Sequence, residues 1–287
     1  MSKRQQQAQF YQPIANGLIE CLLCPKHCHI AEGKTGLCLV RKNIEGVLMS
    51  LNYGACSCGA LDPIEKKPLI HFMPGSHIFS VGSMGCNFSC SFCQNHDFVH
   101  GGQELETITP ADVVAQALKL KPDNIGIAYT YSEPTVWYEF VYDTAVLARQ
   151  AGLKNVLVTN GYIEQAPLEK LLPYIDAMNI DIKAFHGSFY TDVCRGELEQ
   201  VKRTVTLAAN QTHVEITTLV IPGLNDSVDE ISELAEWLSK ISPQIQLHLT
   251  RYFPCHEMTI PATPIQTLAR LQKIASHYLQ HVYLGNV

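Results

Sequence analysis

From residue 77 onward, short apolar runs alternate with segments of helical spacing, and this alternation narrows the fold more than any other feature of the chain. HIFSV begins at His77, NIGIAYT at Asn124, NVLVT at Asn155, AMNIDIK at Ala177, HVEITTLVI at His213, QLHLT at Gln246 and the short VYLGN at Val282. Helical spacing fills the gaps at Thr109–Leu120, Ser132–Gly152, Ala166–Leu172, Leu198–Asn210, Ser227–Ile241 and Ile265–Gln280. Thr109 suits an N-cap, with Pro110 at the first helical position and Asp112 in the first turn. Ser227 and Glu230 have capping-box spacing. Apolar strands separated by helices predict a parallel sheet wrapped by helices. Six or more such units predict an α/β fold of the partial (β/α)6 TIM-barrel type. An open doubly wound sheet is the alternative.

The 287 residues suit one barrel-sized domain plus an appendage. Nine of the eleven cysteines fall before residue 94. We therefore expect an N-terminal cysteine-rich extension over 1–75, closing at the turn Met73-Pro74-Gly75. A barrel core follows over 76–255, and a C-terminal helix and strand over 256–287 complete it. The net charge of −6 gives no footprint for general nucleic-acid binding, and no apolar run is long enough to cross a membrane. The polar start MSKRQQQAQFYQP lacks the apolar core of a secretory signal. Many thiols without such a signal predict a reducing, cytoplasmic location, with metal ligation favoured over disulfides.

Cys86, Cys90 and Cys93 stand in SVGSMGCNFSCSFCQN, at the end of the first barrel strand. In barrels that end carries the chemistry. A structural zinc site normally closes with four ligands, so three thiols leave one coordination position open, unless His96 completes a zinc knuckle. Glu133 follows the second strand and suits either an ammonium partner or a helix start. Asn160 ends the third strand, where an amide can meet a ligand or cap a turn. Asp181 and Lys183 share a face of the fourth strand, either as a supporting ion pair or around a ligand. Thr217 and Glu215 share a face of the fifth. His248 and Arg251 are weaker candidates on the sixth.

Cys21, Cys24, Cys28 and Cys38 supply the four thiols of a closed site. Zinc, a second iron–sulfur cluster and plain buried thiols all fit that spacing. Cys56 and Cys58 are too short a signal to assign, and Cys194 and Cys255 stand alone.

The triplet, with Phe92 before its last cysteine and Gln94-Asn95 after it, resembles the signature of radical S-adenosylmethionine (SAM) enzymes. The branch it is most similar to is that of pyruvate formate-lyase activating enzyme, and within it the radical enzyme of the AmmeMemoRadiSam system. CLLCPKHCHI, GKTGLCLVRKN, LDPIEKKPLIHFMPGS, YTYSEPT, VTNGY, NIDIKAF and IPGLND carry the resemblance over nearly the whole chain. It implies a 4Fe–4S cluster on Cys86, Cys90 and Cys93, with SAM chelating the fourth iron. Reductive cleavage of SAM would give a 5′-deoxyadenosyl radical that abstracts hydrogen from a substrate. It also implies that Phe92, Glu133, Asn160, Asp181, Lys183 and Thr217 surround the cofactor. A low-potential donor such as ferredoxin or flavodoxin would feed the cluster. One narrower reading is a glycyl-radical enzyme activase acting on a protein. The contrasting class is a non-catalytic iron–sulfur electron carrier or a metal-stabilised binding protein.

Overall fold

The computed structural model describes residues 5–100 and 104–287. Its centre is an eight-stranded sheet. We label the strands β1 (Cys58–Pro63), β2 (His77–Gly82), β3 (Asn124–Tyr129), β4 (Lys154–Thr159), β5 (Ala177–Asp181), β6 (His213–Val220), β7 (Gln246–Arg251) and β8 (Val282–Gly285). They lie in chain order across the sheet. All neighbours from β2 to β8 are parallel, and β1 pairs antiparallel with β2. The seven parallel strands are the runs expected from sequence. β1 was not expected, and it lies before the turn at Met73-Pro74-Gly75. The ladder from Cys58↔Gly82 to Pro63↔His77 joins the sheet to residues that the sequence reading gave to the N-terminal region.

Parallel strands bury both faces, and β5 does so for all but its last residue. The helices α1 (Pro110–Lys119), α2 (Tyr138–Gln150), α3 (Gln165–Leu171), α4 (Leu198–Ala209), α5 (Val228–Ile241) and α6 (Ile265–Ala275) follow the periodic segments. Helix α1 begins with a full Thr109/Asp112 capping box and Pro110 in its first turn. At α5 the box forms by half. Ser227 accepts from the Glu230 N–H, but the Glu230 carboxylate is drawn away to the Phe185 N–H at 2.6 Å. A backbone donor from the β5–α4 connection therefore outcompetes the local cap.

Two small three-stranded antiparallel sheets occupy residues 6–50. Ile19, Cys21, Leu23 and Leu48 from this region belong to the same buried cluster as Phe140, Ile180 and Leu247. The two edges of the main sheet also approach each other. Just past β1, Lys66 and Lys67 line the same cavity as Asn286, just past β8. His71 and the Tyr283 hydroxyl are 2.6 Å apart. Among the described residues no helix is long and apolar enough to cross a membrane.

The β3–β4 pairing depends on Gly126. A Cβ there would fall on the backbone carbonyl of Lys154, with the Lys154 C and N atoms at 2.6 and 2.7 Å. We expect Gly126→Ala to cost about 3 kcal/mol or more, lowering the thermal midpoint by on the order of 5–10 °C. Scanning calorimetry on the variant checks this; an unchanged midpoint would mean that the strands separate at no cost.

Candidate active site

One cavity of about 460 Å³ opens at the C-terminal ends of the strands. Cys86, Cys90, Cys93, Phe92, Glu133, Asn160, Asp181, Lys183 and Thr217 all line it. Four come from the loop after β2, Glu133 and Asn160 follow β3 and β4, Asp181 and Lys183 stand at the end of β5, and Thr217 lies on β6, so the parallel sheet brings together residues spread over more than a hundred positions of sequence.

The Cys86 sulfur is well prepared as a ligand. The Phe88 N–H donates to it at 3.3 Å and the Asn160 side-chain amide at 3.6 Å. Burial first, and the nearby Glu133 carboxylate second, push the Cys86 thiol well above its ordinary pKa. Only a positively charged centre would favour a thiolate there. Cys93 receives a similar donor from the Asn95 N–H. The Cys90 thiol is hydrogen-bonded to that of Cys194, and the Cys255 thiol donates to the Cys93 carbonyl at 3.6 Å. The two cysteines that stand alone in sequence thus meet the triplet in space.

Glu133 is buried and held by four donors, the Thr135 hydroxyl among them. The Thr135 N–H donates to Oε1 at 2.9 Å, the Thr159 hydroxyl to Oε1 at 2.6 Å and the Asn160 N–H to Oε2 at 2.8 Å. Burial nevertheless raises its pKa despite those bonds. A carboxylate can accept about four hydrogen bonds, so these donors fix the direction of both oxygens at the cavity wall. Both sequence readings of Glu133 have a physical counterpart: it opens the turn at Pro134, and it lines the cavity.

The Asn160 side-chain amide donates to Asn87 Oδ1 at 2.8 Å as well as to Cys86, while its Oδ1 accepts the Tyr162 N–H at 2.9 Å. Its amide is thus engaged on the cysteine loop. Lys183 Nζ pairs with Asp181 Oδ2 at 2.8 Å. Burial works against the ammonium, but Asp181 and then Cys90 outweigh it and raise the Lys183 pKa. Thr217, in register with Asp181, donates to Asn179 Oδ1 at 3.0 Å.

Two weaker candidates turn elsewhere. His248 Nε2 meets Glu215 Oε2 at 2.7 Å, and Arg251 Nε donates to the Thr263 carbonyl at 2.8 Å. Lys66, Lys67 and Tyr131 line the cavity without having been singled out by sequence. Asp62 gathers them, accepting from Lys66 at 2.7 Å, Lys67 at 2.8 Å and the Tyr131 hydroxyl at 2.8 Å. The run LDPIEKKP carried that signal, but its approach to the cavity depends on the unexpected β1 pairing. Cys56 donates to the Cys58 carbonyl at 3.1 Å, and burial pushes its thiol up to about 11.

A family model for the radical SAM superfamily matches residues 81–238, more than half of the chain. The chain belongs to the radical SAM superfamily. An uncharacterised protein of Methanocaldococcus jannaschii is 43% identical over 288 aligned residues, covering 98% of this chain and 85% of the relative. A pyruvate formate-lyase-activating enzyme of Clostridium pasteurianum is 28% identical, covering 68% of this chain and 82% of its own. Among solved structures, a radical SAM methyltransferase from Sphaerobacter thermophilus covers 98% of this chain and 76% of its own. It does so at a TM-score of 0.57 and 14% identity, a likeness of fold alone. As a radical SAM enzyme, the protein has a 4Fe–4S cluster and SAM as its cofactors. The donor set in the cavity fits them: three thiols, N–H groups aimed at sulfur, a buried carboxylate fixed by its own donors and an ion pair.

Proposed function

We propose that Cys86, Cys90 and Cys93 hold the 4Fe–4S cluster and that SAM binds beside it in the same cavity. The protein then takes a hydrogen atom from a substrate that enters at the strand ends. The observation that carries this reading is the convergence of all nine sequence-named residues on one cavity. The bound cluster and SAM supply the one-electron chemistry, a reductive cleavage that yields a 5′-deoxyadenosyl radical.

The chain's own residues bind, orient and exclude water. The Phe88 N–H and the Asn160 amide stabilise charge on the Cys86 sulfur. The Glu133 carboxylate faces the SAM ammonium, fixed in direction by its internal donors. Asp181 and Lys183 offer an acceptor and a donor to the ribose and carboxylate of SAM. Thr217 stands beside them. Phe92, packed against Phe189 with ring centroids 5.8 Å apart, closes an apolar wall. The curl that brings Lys66 and Asn286 to one cavity supports a partial barrel carrying the cysteine-rich residues as an extension. A low-potential ferredoxin or flavodoxin is the proposed electron source. Similarity to an enzyme named for activating pyruvate formate-lyase favours a protein substrate and a glycyl-radical product. A doublet in the electron paramagnetic resonance spectrum of that partner would identify it.

Addition of SAM to the reduced protein is expected to change the resonance of the cluster, and an unchanged spectrum would argue against SAM binding at the iron. Loss of one charged hydrogen bond is worth about 1.5–3 kcal/mol. Lys183→Met should therefore weaken SAM binding by on the order of 10–100-fold while leaving the iron content intact. Equal affinity in the variant would remove the ion pair from the site.

A further inference from the structure

The N-terminal residues carry a second set of thiols. Cys21, Cys24, Cys28 and Cys38 line one small cavity, shared with Leu23, Ile30 and Val136. Their backbone is already folded around it. The Cys21 N–H donates to the Cys28 carbonyl at 3.0 Å, which closes a loop with Cys24 at its turn. The Leu39 N–H donates to the Gly36 carbonyl at 2.9 Å, which presents Cys38 from a separate tight turn.

Three of these sulfurs accept a backbone N–H from two residues further on: Leu23 to Cys21, Lys26 to Cys24 and Val40 to Cys38. Cys86 and Cys93 in the radical site have the same arrangement, with Phe88 and Asn95 as donors. An N–H directed at sulfur stabilises the charged, ligating form of a thiol. It does little for a neutral thiol packed as a small apolar group.

The wall of the cavity contains a further observation. Arg41 is 1% exposed. Its Nη2 donates to Glu139 Oε1 at 2.7 Å and to the Gln9 carbonyl at 2.8 Å, while Nε and Nη1 have no partner. Buried N–H groups without an acceptor are costly. A thiolate at this cavity would be such an acceptor.

We propose that Cys21, Cys24, Cys28 and Cys38 bind a single tetrahedral metal ion, zinc or a mononuclear iron, separate from the radical cluster. Four thiols around one small, largely apolar cavity are the count that closes the shell of a single ion. Among the described residues no three His, Cys, Asp or Glu side chains are gathered at ion-holding distance. Tetrahedral ligation at about 2.3 Å draws the sulfurs together, and here it needs side-chain rotation on a backbone already in place. Asn87 ties the two centres: it lines the four-thiol cavity and accepts the Asn160 amide beside Cys86.

Metal analysis of the anaerobically purified full chain tests the proposal independently of any SAM chemistry. We expect about four irons from the radical cluster plus one further ion, either zinc or a fifth iron. Cys24→Ser and Cys38→Ser should each lose that further ion and retain the four irons. About eight irons would replace the proposal with a second cluster, and four irons with no other metal would leave the thiols free; either result overturns it. A variant that fails to fold does not remove the test. Wild-type protein loaded with Co²⁺ should show the strong visible absorption of a tetrahedral tetrathiolate, and its absence would contradict the site.

Discussion

Replacing Cys90 with alanine is expected to abolish formation of 5′-deoxyadenosine from SAM, to the background of protein without a cluster. Three thiolates leave one iron open for a chelating cofactor, whereas two leave the cluster undercoordinated and labile. Cys90 sits between the other two ligands and faces the cavity that Lys183 and Asp181 also line. Cys194 touches Cys90, so it is the nearest candidate for a substitute ligand. The double variant Cys90→Ala/Cys194→Ala separates the two effects. Iron content and product should both be lost in the single variant, and the double variant should be no worse. Full product formation by Cys90→Ala would remove this residue from the cluster.

The second large effect concerns stability. Glu215 is wholly buried on β6, yet its carboxylate accepts four hydrogen bonds. The Ile70 and His71 N–H groups donate at 3.0 and 2.7 Å, and Nε2 of His213 and His248 lie at 2.9 and 2.7 Å. Burial alone would raise its pKa, but these donors outweigh it and bring it down to about 2. The Ile70 and His71 donors belong to the segment joining β1 to β2, which also carries Lys66 and Lys67 into the active-site cavity. Glu215→Leu would strand four polar groups. We expect a loss of about 3–5 kcal/mol and a fall in thermal midpoint of about 10 °C.

The pH dependence follows with a definite sign. The folded-state pKa lies below the ordinary carboxylate value, so the ionised form is the one that stabilises. The contribution, of order 3 kcal/mol, is fully present above about pH 4.5 and is lost as the pH falls toward 2. Denaturant titrations across that window should show a steeper acid loss for the wild type than for Glu215→Leu. Parallel curves would show that Glu215 is not the group responsible.

Much of this was legible in sequence because it is local. A buried parallel strand is a continuous apolar run, so all seven parallel strands could be read directly. The Thr109 cap, Pro110 and Asp112 lie within four residues of one another. The cysteine triplet is confined to one loop. What escaped depends on register between distant segments. β1 is partly exposed and lacks a continuous apolar run, and only its ladder with β2 identifies it as a strand. Cys194 and Cys255 reach the triplet through strand order. Asn160 lines the cavity as expected, and its amide also reaches Cys86 and Asn87, which no spacing within VTNGY could show. Glu215 and His248 had been grouped with the site, yet their partners place them in a structural network with the segment before β2.

The central claim, radical cleavage of SAM at the Cys86/Cys90/Cys93 loop, is tested most directly by product analysis. The protein is reconstituted anaerobically with iron and sulfide, reduced and incubated with SAM. The account predicts 5′-deoxyadenosine and methionine in the wild type and neither in Cys90→Ala. An intact, reducible cluster that leaves SAM uncleaved would contradict it and would favour a non-catalytic iron–sulfur protein instead.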